Sequence, residues 1–581
     1  MELKERPISE SVLKKCSGAG LPEIAARIVA GRLAEMEGEA DAWLNPGLEV
    51  LTVPPMKGLG AGAKRLAENI RLGETIVIVG DYDVDGLTGS AILSRAITEI
   101  LGHPPERTVA VVGDRHEDGY GLTDSIVSRI LAMDPIPGLV ITVDCGSSDA
   151  LRIERLARMD VEVVVTDHHR IEEPPEYAMA VINPNRPDCN FPDKQIAGCT
   201  VAWLLAAATA AYLDKPLSSM TALMDYAALG TVADCVSLFS PVNRMLVRAG
   251  LADINAGERP CWKAFLNGHG KAADAGALGF QLGPRVNAAS RMATAEFARE
   301  FFMADTAPEA EAALAELTRL NERRKRVQNK MIAATLETLD DTGDDPAIAV
   351  IYRGKDGDED REAGGVRGIV AGRLCERFHR PVIVFTQKDG GFEGSGRAPE
   401  GIDLFALLQR VEKEDPCVME RFGGHEGAAG LSVDAAYLET FETIFQEAVT
   451  SAYGQGPWPA PTLTDGSLLE SRDGLVLSQA AALEAVAPYG RGFPEPLFAD
   501  RFRVMNMRFV GGNPVHLKLT LTCGKRQYPA IQFFAIENPG DPPPVAVGER
   551  VTALYRPEAN EFRGNVTLQL KIDRLIGEGE G

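Results

Sequence analysis

The stretch "VEVVVTDHHR", Val161 to Arg170, joins a run of β-branched aliphatic residues to an aspartate and two adjacent histidines. The aliphatic run predicts a strand that is buried on both faces, as in a parallel sheet. Asp-His-His does not suit such an interior, because a buried charge is costly unless it is paired or bound to a metal ion. The triplet therefore either lies in a loop that tolerates it or binds a ligand.

Three similar aliphatic runs precede this one: "TIVIVG" (75–80), "TVAVVG" (108–113) and "GLVITVD" (138–144). Segments of helical character separate the four runs. This alternation is typical of a parallel sheet with crossover helices, so the sequence predicts an α/β fold for this region.

The rest of the chain predicts a long helix, a second α/β region and a small barrel. Residues 308–341 lack glycine and are rich in helix formers, so we expect one helix of about 50 Å there. Beyond a Pro/Gly-rich linker at 454–466, five short alternating segments favour a β-barrel. The predicted parts are a helical lead-in, a first α/β domain, a connecting helix, a second α/β domain, and a linker with the barrel, at residues 1–55, 56–305, 306–342, 343–455 and 456–581.

Composition favours a soluble cytoplasmic protein. The N-terminus lacks the apolar segment of a signal peptide, and the longest apolar run (201–213) is too short for a bilayer and suits a buried helix. The nine cysteines include no C-x-x-C pair, which indicates reduced thiols rather than disulfides or a thiolate zinc site. The net charge of −23 disfavours general coating of nucleic acid, yet residues 500–581 hold eleven Lys/Arg against nine Asp/Glu. A local path for nucleic acid is therefore compatible with the composition.

Acidic and imidazole side chains follow three of the predicted strands. Because ligands of open parallel sheets bind outside the carboxyl ends of the strands, we expect these side chains to meet at one edge. A further aspartate in "GTVADCV" follows an apolar helical segment and could complete the group. The candidates are Asp81, Asp83, Asp85, Asp144, Asp167, His168, His169 and Asp234. If "DYDVD" stays extended, its three aspartates share a face.

Converging carboxylates repel one another and raise their own pKa values unless a cation is bound among them. Carboxylates with imidazole and without thiolate indicate Mn²⁺ or Mg²⁺, and the histidines favour Mn²⁺. Two such ions would activate water and stabilise a phosphoryl transition state. A single "DxD" in a Gly-rich turn is usually only a solvated turn. The repetition at successive strand ends is what favours a metal site.

The motifs "GDYDVDGLTGS", "DRHEDGYGL", "TVDCG", "TDHH" and "GTVADCV" occur in this order. As a set they resemble the DHH phosphoesterase superfamily, and the first two are similar to motifs of the RecJ family of single-strand-specific DNA exonucleases. The similarity continues through "GPRVNAASR" (283–291), "GSGRA" (394–398), "GGHEGAAG" (423–430) and "PYGRGFPEPLF" (488–498). It therefore covers most of the chain.

The resemblance implies a two-lobed fold, with a DHH lobe and a DHHA1 lobe joined by the long helix, plus a C-terminal OB-type barrel. It implies 5′-to-3′ degradation of single-stranded DNA to 5′-mononucleotides, in recombination and repair in a bacterial cytoplasm. The implied metal ligands are Asp83, Asp85, Asp144, His168 and Asp234. Asp144 would bridge two ions, His169 would lie on metal or phosphate, and Asp81 and Asp167 would orient the ligands.

The resemblance also implies phosphate-binding side chains in both lobes. Arginine suits this role because its fork pairs with phosphate oxygens. The candidates are Arg115, His169, Arg285, Asn287, Arg291, Ser395, Arg397, Gly424 and His425. A Gly-rich loop such as "GGHEGAAG" is otherwise simply a tight turn, and surface ion pairs are the alternative role for Arg285 and Arg291. The barrel aromatics Tyr528, Phe533, Phe534 and Tyr555 are, taken singly, more typical of core positions than of a binding surface.

Three positions depart from the family pattern: Ser237 replaces the usual proline, Ser290 a commoner glycine, and Ala398 a serine. None of them removes an implied ligand. Two other functions stay open: a phosphodiesterase for oligonucleotides or cyclic dinucleotides, and a non-catalytic replication accessory with the same fold. The barrel disfavours the first, and the complete set of ligand positions disfavours the second. The chain resembles a compact member without a further domain, and a single-strand-binding protein and a helicase are its expected protein partners.

Overall fold

The computed structural model describes residues 2–36, 38–51, 55–341, 350–353, 361–388, 390–471, 474–512, 514–536, 538–562 and 564–578. The chain divides into two compact units. One comprises Met1–Val53, Val236–Met245 and Pro461–Gly581, and the other comprises Pro54–Cys235 and Leu246–Ala460. Among the described residues, no helix combines the length and apolar character needed to cross a bilayer.

The N-terminal segment is helical, as predicted, but it begins with a short strand. Its elements are β1 (Leu3–Glu5), α1 (Glu10–Gly18), α2 (Glu23–Ala30) and α3 (Ala40–Leu44). Strand β1 pairs in parallel with residues 462–464. A three-residue strand whose partner is so far along the chain has no local sequence signal, so the sequence analysis does not predict it.

A five-stranded parallel sheet follows, in the order β3-β2-β4-β5-β6. Its elements, with the preceding helix, are α4 (Leu59–Leu72), β2 (Ile76–Gly80), α5 (Val84–Arg95), β3 (Thr108–Val112), α6 (Asp124–Leu131), β4 (Leu139–Val143), α7 (Ala150–Ala157), β5 (Glu162–Thr166) and β6 (Ala180–Ile182). Every residue of β2 and β4 is buried, which explains their continuous apolar sequences. The four predicted strands are confirmed, and the short β6 is an addition.

After β6, the chain continues through eight α-helices. They are α8 (Gly198–Tyr212), α9 (Met224–Ala233), α10 (Pro241–Ala256), α11 (Pro260–His269), α12 (Ala275–Ala277), α13 (Gly283–Met292), α14 (Glu296–Met303) and α15 (Ala307–Asp341). The apolar run at 201–213 forms most of α8, which is buried over most of its length. Helix α15 has 35 residues and confirms the predicted long helix.

The second α/β region contains a mixed sheet in the order β10-β11-β9-β8-β7. Its elements are β7 (Val350–Arg353), α16 (Arg361–Phe378), β8 (Val382–Lys388), β9 (Gly391–Arg397), α17 (Leu404–Glu414), β10 (Arg421–His425), β11 (Ala428–Asp434) and α18 (Leu438–Tyr453). Helices α17 and α18 contribute Leu404, Leu408, Phe441 and Phe445 to the core on one face of the sheet. The predicted start of its first strand, at 347–349, lies outside the described residues.

The C-terminal region forms the predicted closed five-stranded barrel, in the order β13-β14-β15-β17-β16. Its elements, with those that precede it, are β12 (Thr462–Thr464), α19 (Leu477–Glu484), β13 (Phe498–Val510), β14 (His516–Cys523), β15 (Arg526–Gln532), β16 (Arg550–Phe562) and β17 (Asn565–Gly577). Closure of the barrel pairs β13 with β16, which would otherwise be the two free edge strands of the sheet. The topology and composition are consistent with an OB fold.

Candidate metal centre

Of the three aspartates after β2, Asp81 and Asp83 lie in the tight turn before α5, and Asp85 lies in the first turn of that helix. Asp83 is the N-cap of α5, and its Oδ1 accepts hydrogen bonds from the backbone N–H groups of Asp85 (2.9 Å) and Gly86 (3.2 Å). A Cβ atom at Gly86 would lie 2.6 Å from the backbone nitrogen of Asp81, so only glycine fits there. The stretch is therefore not extended. Helix capping, rather than strand alternation, directs these carboxylates.

The other candidates follow β4, β5 and α9. Asp144 directly follows β4 and adopts a left-handed backbone conformation with φ of 60°, which is unusual for a non-glycine residue. His168 and His169 follow β5, and both of their backbone N–H groups donate to Asp167 Oδ1. Asp234 follows α9. The predicted meeting of strand ends at one edge is confirmed in the geometry.

His168 lies at the centre of this group. Its Nε2 atom is 3.1 Å from Asp144 Oδ1, 3.6 Å from Asp234 Oδ2 and 3.7 Å from Asp85 Oδ2. Three overlapping sets each offer ligand atoms that lie within 4.8 Å of one another: Asp144 with both histidines, His168 with Asp85 and Asp234, and Asp144 with Asp81 and Asp83. Asp81, expected only to orient ligands, thus lies among the atoms that could bind metal.

Burial and mutual repulsion oppose ionisation of these carboxyl groups. Burial, followed by the charge of Asp83, raises the pKa of Asp81 to about 8. Burial and the charge of Asp85 raise the pKa of Asp83, and the same two causes raise that of Asp144 well above its usual range. A cation bound among Asp81, Asp83 and Asp144 would favour their ionised forms.

The residues present fit divalent metal ions. Buried Asp81 Oδ1, Asp144 Oδ1 and His168 Nε2 make no hydrogen bond with any described residue, although buried polar atoms are normally satisfied. The donors are carboxylate oxygens and imidazole nitrogens, a set that suits Mn²⁺ or Mg²⁺.

Comparison with known proteins identifies the family. Residues 75–231 match the DHH family, N-terminal domain, residues 347–451 match the DHHA1 domain, and residues 471–574 match the RecJ OB domain. The chain is 33% identical to the single-stranded-DNA-specific exonuclease RecJ of Escherichia coli K12, over 99% of both chains. The chain belongs to the RecJ family.

Solved structures of a RecJ relative support this assignment. The crystal structure of Thermus thermophilus RecJ in complex with Mn²⁺ matches with a TM-score of 0.78 and 28% identity, and the match covers 99% of this chain and 79% of that one. The Mg²⁺ complex of the same protein matches with a TM-score of 0.72 and 28% identity, over 99% and 78% of the two chains. Both metals predicted from the ligand set are therefore bound by a RecJ relative.

A tyrosine that the sequence did not single out joins this RecJ-type centre. The Tyr120 hydroxyl donates to the backbone oxygen of Asp144 (2.9 Å) and lies 3.1 Å from His169 Nδ1. His169 Nδ1 also lies 2.8 Å from Asp167 Oδ1. Burial opposes ionisation of Asp167, but its hydrogen bonds with His169 and Ser147 hold its pKa below the usual range. Asp167 thus contacts the His169 ring at Nδ1, and within the described residues no hydrogen bond involves Nε2 of this ring.

Tyr120→Phe should lower the nuclease rate about 10-fold, because it removes the hydroxyl that joins Asp144 and His169. The rate on a single-stranded oligonucleotide is the measurement. Tyr437→Phe, which changes a partly exposed tyrosine of the second lobe, is the matched control and should leave the rate unchanged. Equal rates for both variants would contradict a role for the Tyr120 hydroxyl.

Arg115 and Arg291 are cations close to the metal centre. The Arg115 guanidinium stacks 3.9 Å from the ring centre of Tyr82, and Arg291 donates to the backbone oxygen of Gly365. Burial, with the charges of Arg115 and Arg324, lowers the pKa of Arg291 to about 9. In the described part of the chain, neither Arg115 nor Arg291 forms an ion pair with a carboxylate, which suits binding of an anionic ligand.

Two further candidates for phosphate binding, Asn287 and Arg285, have other surroundings than Arg115 and Arg291. Asn287 Oδ1 accepts a hydrogen bond from the backbone N–H of Val84, at the start of α5. This contact holds the turn of the metal centre, so the amide already has a structural use. Arg285 is partly buried on α13, and no hydrogen bond or ion pair among the described residues ties it to the centre. Their roles in phosphate binding remain predictions.

In the second lobe, the candidates lie on adjacent strands. Arg397 of β9 and His425 of β10 both pair with Ala428 of β11, so they flank it on one sheet face. Arg397 donates to Ser395 Oγ and to the backbone oxygen of Gly396, and burial lowers its pKa. A Cβ atom at Gly368 of α16 would lie 3.1 Å from both Arg397 Nη2 and Ser395 Oγ, so this glycine leaves them room.

The "GGHEGAAG" segment forms the turn between β10 and β11. Gly424 has φ of 146°, and a Cβ atom there would lie 2.3 Å from the Ala428 oxygen. His425 is exposed, and its Nδ1 accepts a hydrogen bond from the backbone N–H of Gly427. An accepting Nδ1 places the proton of a neutral ring on Nε2, which can then donate to an anion.

Proposed function

We propose that the chain is a 5′-to-3′ exonuclease that hydrolyses single-stranded DNA to 5′-mononucleotides by a two-metal mechanism, in recombination and repair. The principal support is the group of carboxylates and imidazoles in which buried ligand atoms make no hydrogen bond with the described residues, in a chain of the RecJ family. The relatives are single-stranded-DNA-specific exonucleases by name. The 5′ polarity is inferred from the family resemblance.

Asp83, Asp85, Asp144, His168 and Asp234 would hold two divalent ions, preferably Mn²⁺ and alternatively Mg²⁺, with Asp81 also within reach. When bound, the metal ions supply Lewis acidity and an activated water. The chain itself orients the ligands: Asp167 and Tyr120 fix His169, and the start of α5 fixes Asp83. We assign His169 Nε2 to the metal or to the scissile phosphate.

Phosphates of the strand would be bound by arginines of both lobes. Arg115 and Arg291 offer charges without carboxylate partners among the described residues, while Arg397, Ser395 and His425 offer donors on one sheet face. Gly424 allows the turn that presents His425. The weaker candidates Arg285 and Asn287 belong to the same proposal through α13. Guanidinium groups suit phosphate because they bind its oxygens in pairs.

The barrel has a surface that suits single strands. Arg508 and Lys518 are directly opposite each other on β13 and β14, are exposed, and form no ion pair within the described residues. Like charges in this position destabilise a sheet, so a bound polyanion would stabilise it. His516, two residues from Lys518, contacts the exposed rings of Phe533 and Phe534. Tyr528 and Tyr555 are buried core residues, as aromatics taken singly were expected to be.

Phe534→Ala should weaken binding of single-stranded oligonucleotide about 10-fold, because the ring is 78% exposed and can stack on a base. Fluorescence anisotropy with EDTA present, which prevents cleavage, measures this affinity. Phe280→Ala removes a similarly exposed ring from the unit that does not contain the barrel, and it should leave the oligonucleotide affinity unchanged. If the two variants bind equally, the Phe534 ring is not a stacking surface.

Digestion of end-labelled strands tests the proposed function. With Mn²⁺, a strand with a free 5′ end should be degraded to mononucleotides, and a strand with a blocked 5′ end should persist. Degradation only from the 3′ end would overturn the polarity. Faster cleavage of a dinucleotide than of a long 5′-phosphorylated strand would favour an oligonucleotide phosphodiesterase. No cleavage by a folded, metal-loaded protein would favour a non-catalytic accessory.

We further propose domain boundaries at residues 55, 305, 342 and 455, which bracket the matched DHH, DHHA1 and RecJ OB regions. The bacterial cytoplasm is the proposed location. A single-strand-binding protein and a helicase are the proposed partners, because the helicase generates the substrate strand and the binding protein covers it. Co-purification from cells with and without nuclease treatment checks these partners.

A further inference from the structure

The first turn of α8 touches two of the metal-binding carboxylates, although the candidate ligand sets draw on other elements. Its backbone N–H groups at Gly198 and Cys199 point at Asp85. The Gly198 nitrogen lies 2.6 Å from Asp85 Oδ2, and the Cys199 nitrogen lies 2.8 Å from Asp85 Oδ1. Both oxygens of this buried carboxylate are therefore held by one helix start, where backbone donors lack partners within the helix.

Gly198 also lies against Asp144. A Cβ atom at position 198 would lie 2.8 Å from Asp144 Cβ, and 2.9 Å from both its Cα and its Oδ1. Real Cβ atoms do not come so close to another residue's backbone, so any side chain here would displace Asp144 or α8. Asp144 has little freedom to move, since it follows a buried strand in a left-handed conformation and its N–H donates to Thr166.

A second glycine, Gly230 of α9, also lies close to Asp85. A Cβ atom at Gly230 of α9 would lie 3.0 Å from Asp85 Oδ1 and 2.4 Å from Cys199 Sγ. Helices α8 and α9 thus both approach the carboxylate closely. The position of Asp85 is set by helix packing and two short hydrogen bonds before any cation arrives.

We infer that Gly198 is a positioning residue for the metal centre. It lets the start of α8 approach closely enough to hold Asp85 by two hydrogen bonds while Asp144 keeps its left-handed conformation. One residue without a side chain thereby sets the separation of two carboxylates, one in the first turn of α5 and one directly after β4. The inference rests on the proposed function only in taking Asp85 and Asp144 as metal ligands.

Gly198→Ala is the test, with Gly60→Ala as the matched control. Both glycines lie in the first turn of a helix, but a Cβ atom at Gly60 would meet only the Tyr212 hydroxyl, at 3.9 Å. Mn²⁺ affinity is measured on the folded, metal-free full-length protein by titration calorimetry. Gly198→Ala should weaken Mn²⁺ binding by about 10- to 100-fold, as loss of an orienting group typically does. Gly60→Ala should bind like the unsubstituted protein.

The same series gives two more readouts. The Mn²⁺ concentration for half-maximal cleavage should rise with Gly198→Ala, while oligonucleotide affinity in EDTA should stay unchanged. Mn²⁺ binding by a folded Gly198→Ala variant within about two-fold of the unsubstituted protein would overturn the inference. Failure of the unsubstituted protein to bind Mn²⁺ would instead overturn the proposed function.

Asp144→Gly provides a test if Gly198→Ala does not fold. Glycine adopts φ of 60° without strain and removes the Asp144 Cβ and carboxylate that the new methyl group would meet. The double variant should then recover part of the thermal stability that Gly198→Ala loses, because the Asp144 Cα, 2.9 Å from the new methyl group, stays in place. If the double variant is as unstable as Gly198→Ala alone, the contact with Asp144 is not the cause, and the inference fails.

Discussion

Asp144→Asn should reduce DNA cleavage by at least about 10³-fold, the largest effect expected of any single substitution in this chain. Asp144 contributes to two of the three candidate ligand sets, and its Oδ1 is buried without a hydrogen bond from the described residues. Asparagine keeps the size and tolerates the left-handed backbone but removes the negative charge with which Asp144 would hold the proposed metal ions. The initial rate of mononucleotide release in saturating Mn²⁺ is the measurement.

Asp160→Asn is the matched control for this substitution. Asp160 has almost the same backbone conformation, with φ of 59°, but it is exposed and lies two residues before β5, at the opposite end of the strand from the histidines. Its substitution should leave the rate within about two-fold of the unsubstituted protein. If Asp144→Asn kept the cleavage rate of the unsubstituted protein while losing Mn²⁺ affinity, hydrolysis would not depend on the metal centre.

Arg397→Gln should lower kcat/KM for a 5′-phosphorylated strand by about 10- to 100-fold. A hydrogen bond to a charged group contributes about 1.5–3 kcal/mol, and Arg397 would donate to a phosphate from a partly buried position. Glutamine keeps a hydrogen-bonding side chain but loses the charge and the fork. Mn²⁺ affinity should not change, since Arg397 lies on β9 of the second sheet.

Arg410→Gln controls for the loss of a positive charge in the same lobe. Arg410 is exposed on α17, so Arg410→Gln should leave kcat/KM for the 5′-phosphorylated strand unchanged. A comparison of 5′-phosphate and 5′-hydroxyl strands sharpens the test, because the Arg397 effect should be smaller without the phosphate. An equal loss for the two strands would assign Arg397 to another part of the substrate.

The parallel sheet, the long helix and the barrel could be predicted because each has a pattern in its local sequence. The sheet has aliphatic runs, the helix has a long segment of helix formers without glycine, and the barrel has short alternating segments. The metal-binding group could be predicted because parallel strands bring their carboxyl ends to one edge, whatever their order. The conformation of "DYDVD" could not, because Asp83 competes for the helix N-cap and ends the strand. Tyr120 and Gly198 were also beyond prediction, since their importance depends on contacts with residues far along the chain.

Strand β1 has a consequence for biosynthesis. Leu3 must wait for Thr462 to leave the ribosome before the two can pair, which takes roughly 20–90 s at typical bacterial elongation rates. The parallel sheet is complete after Ile182, so it can form during translation without that pairing. A nascent chain halted before residue 462 would therefore expose an unpaired edge at its own beginning and should be prone to proteolysis there.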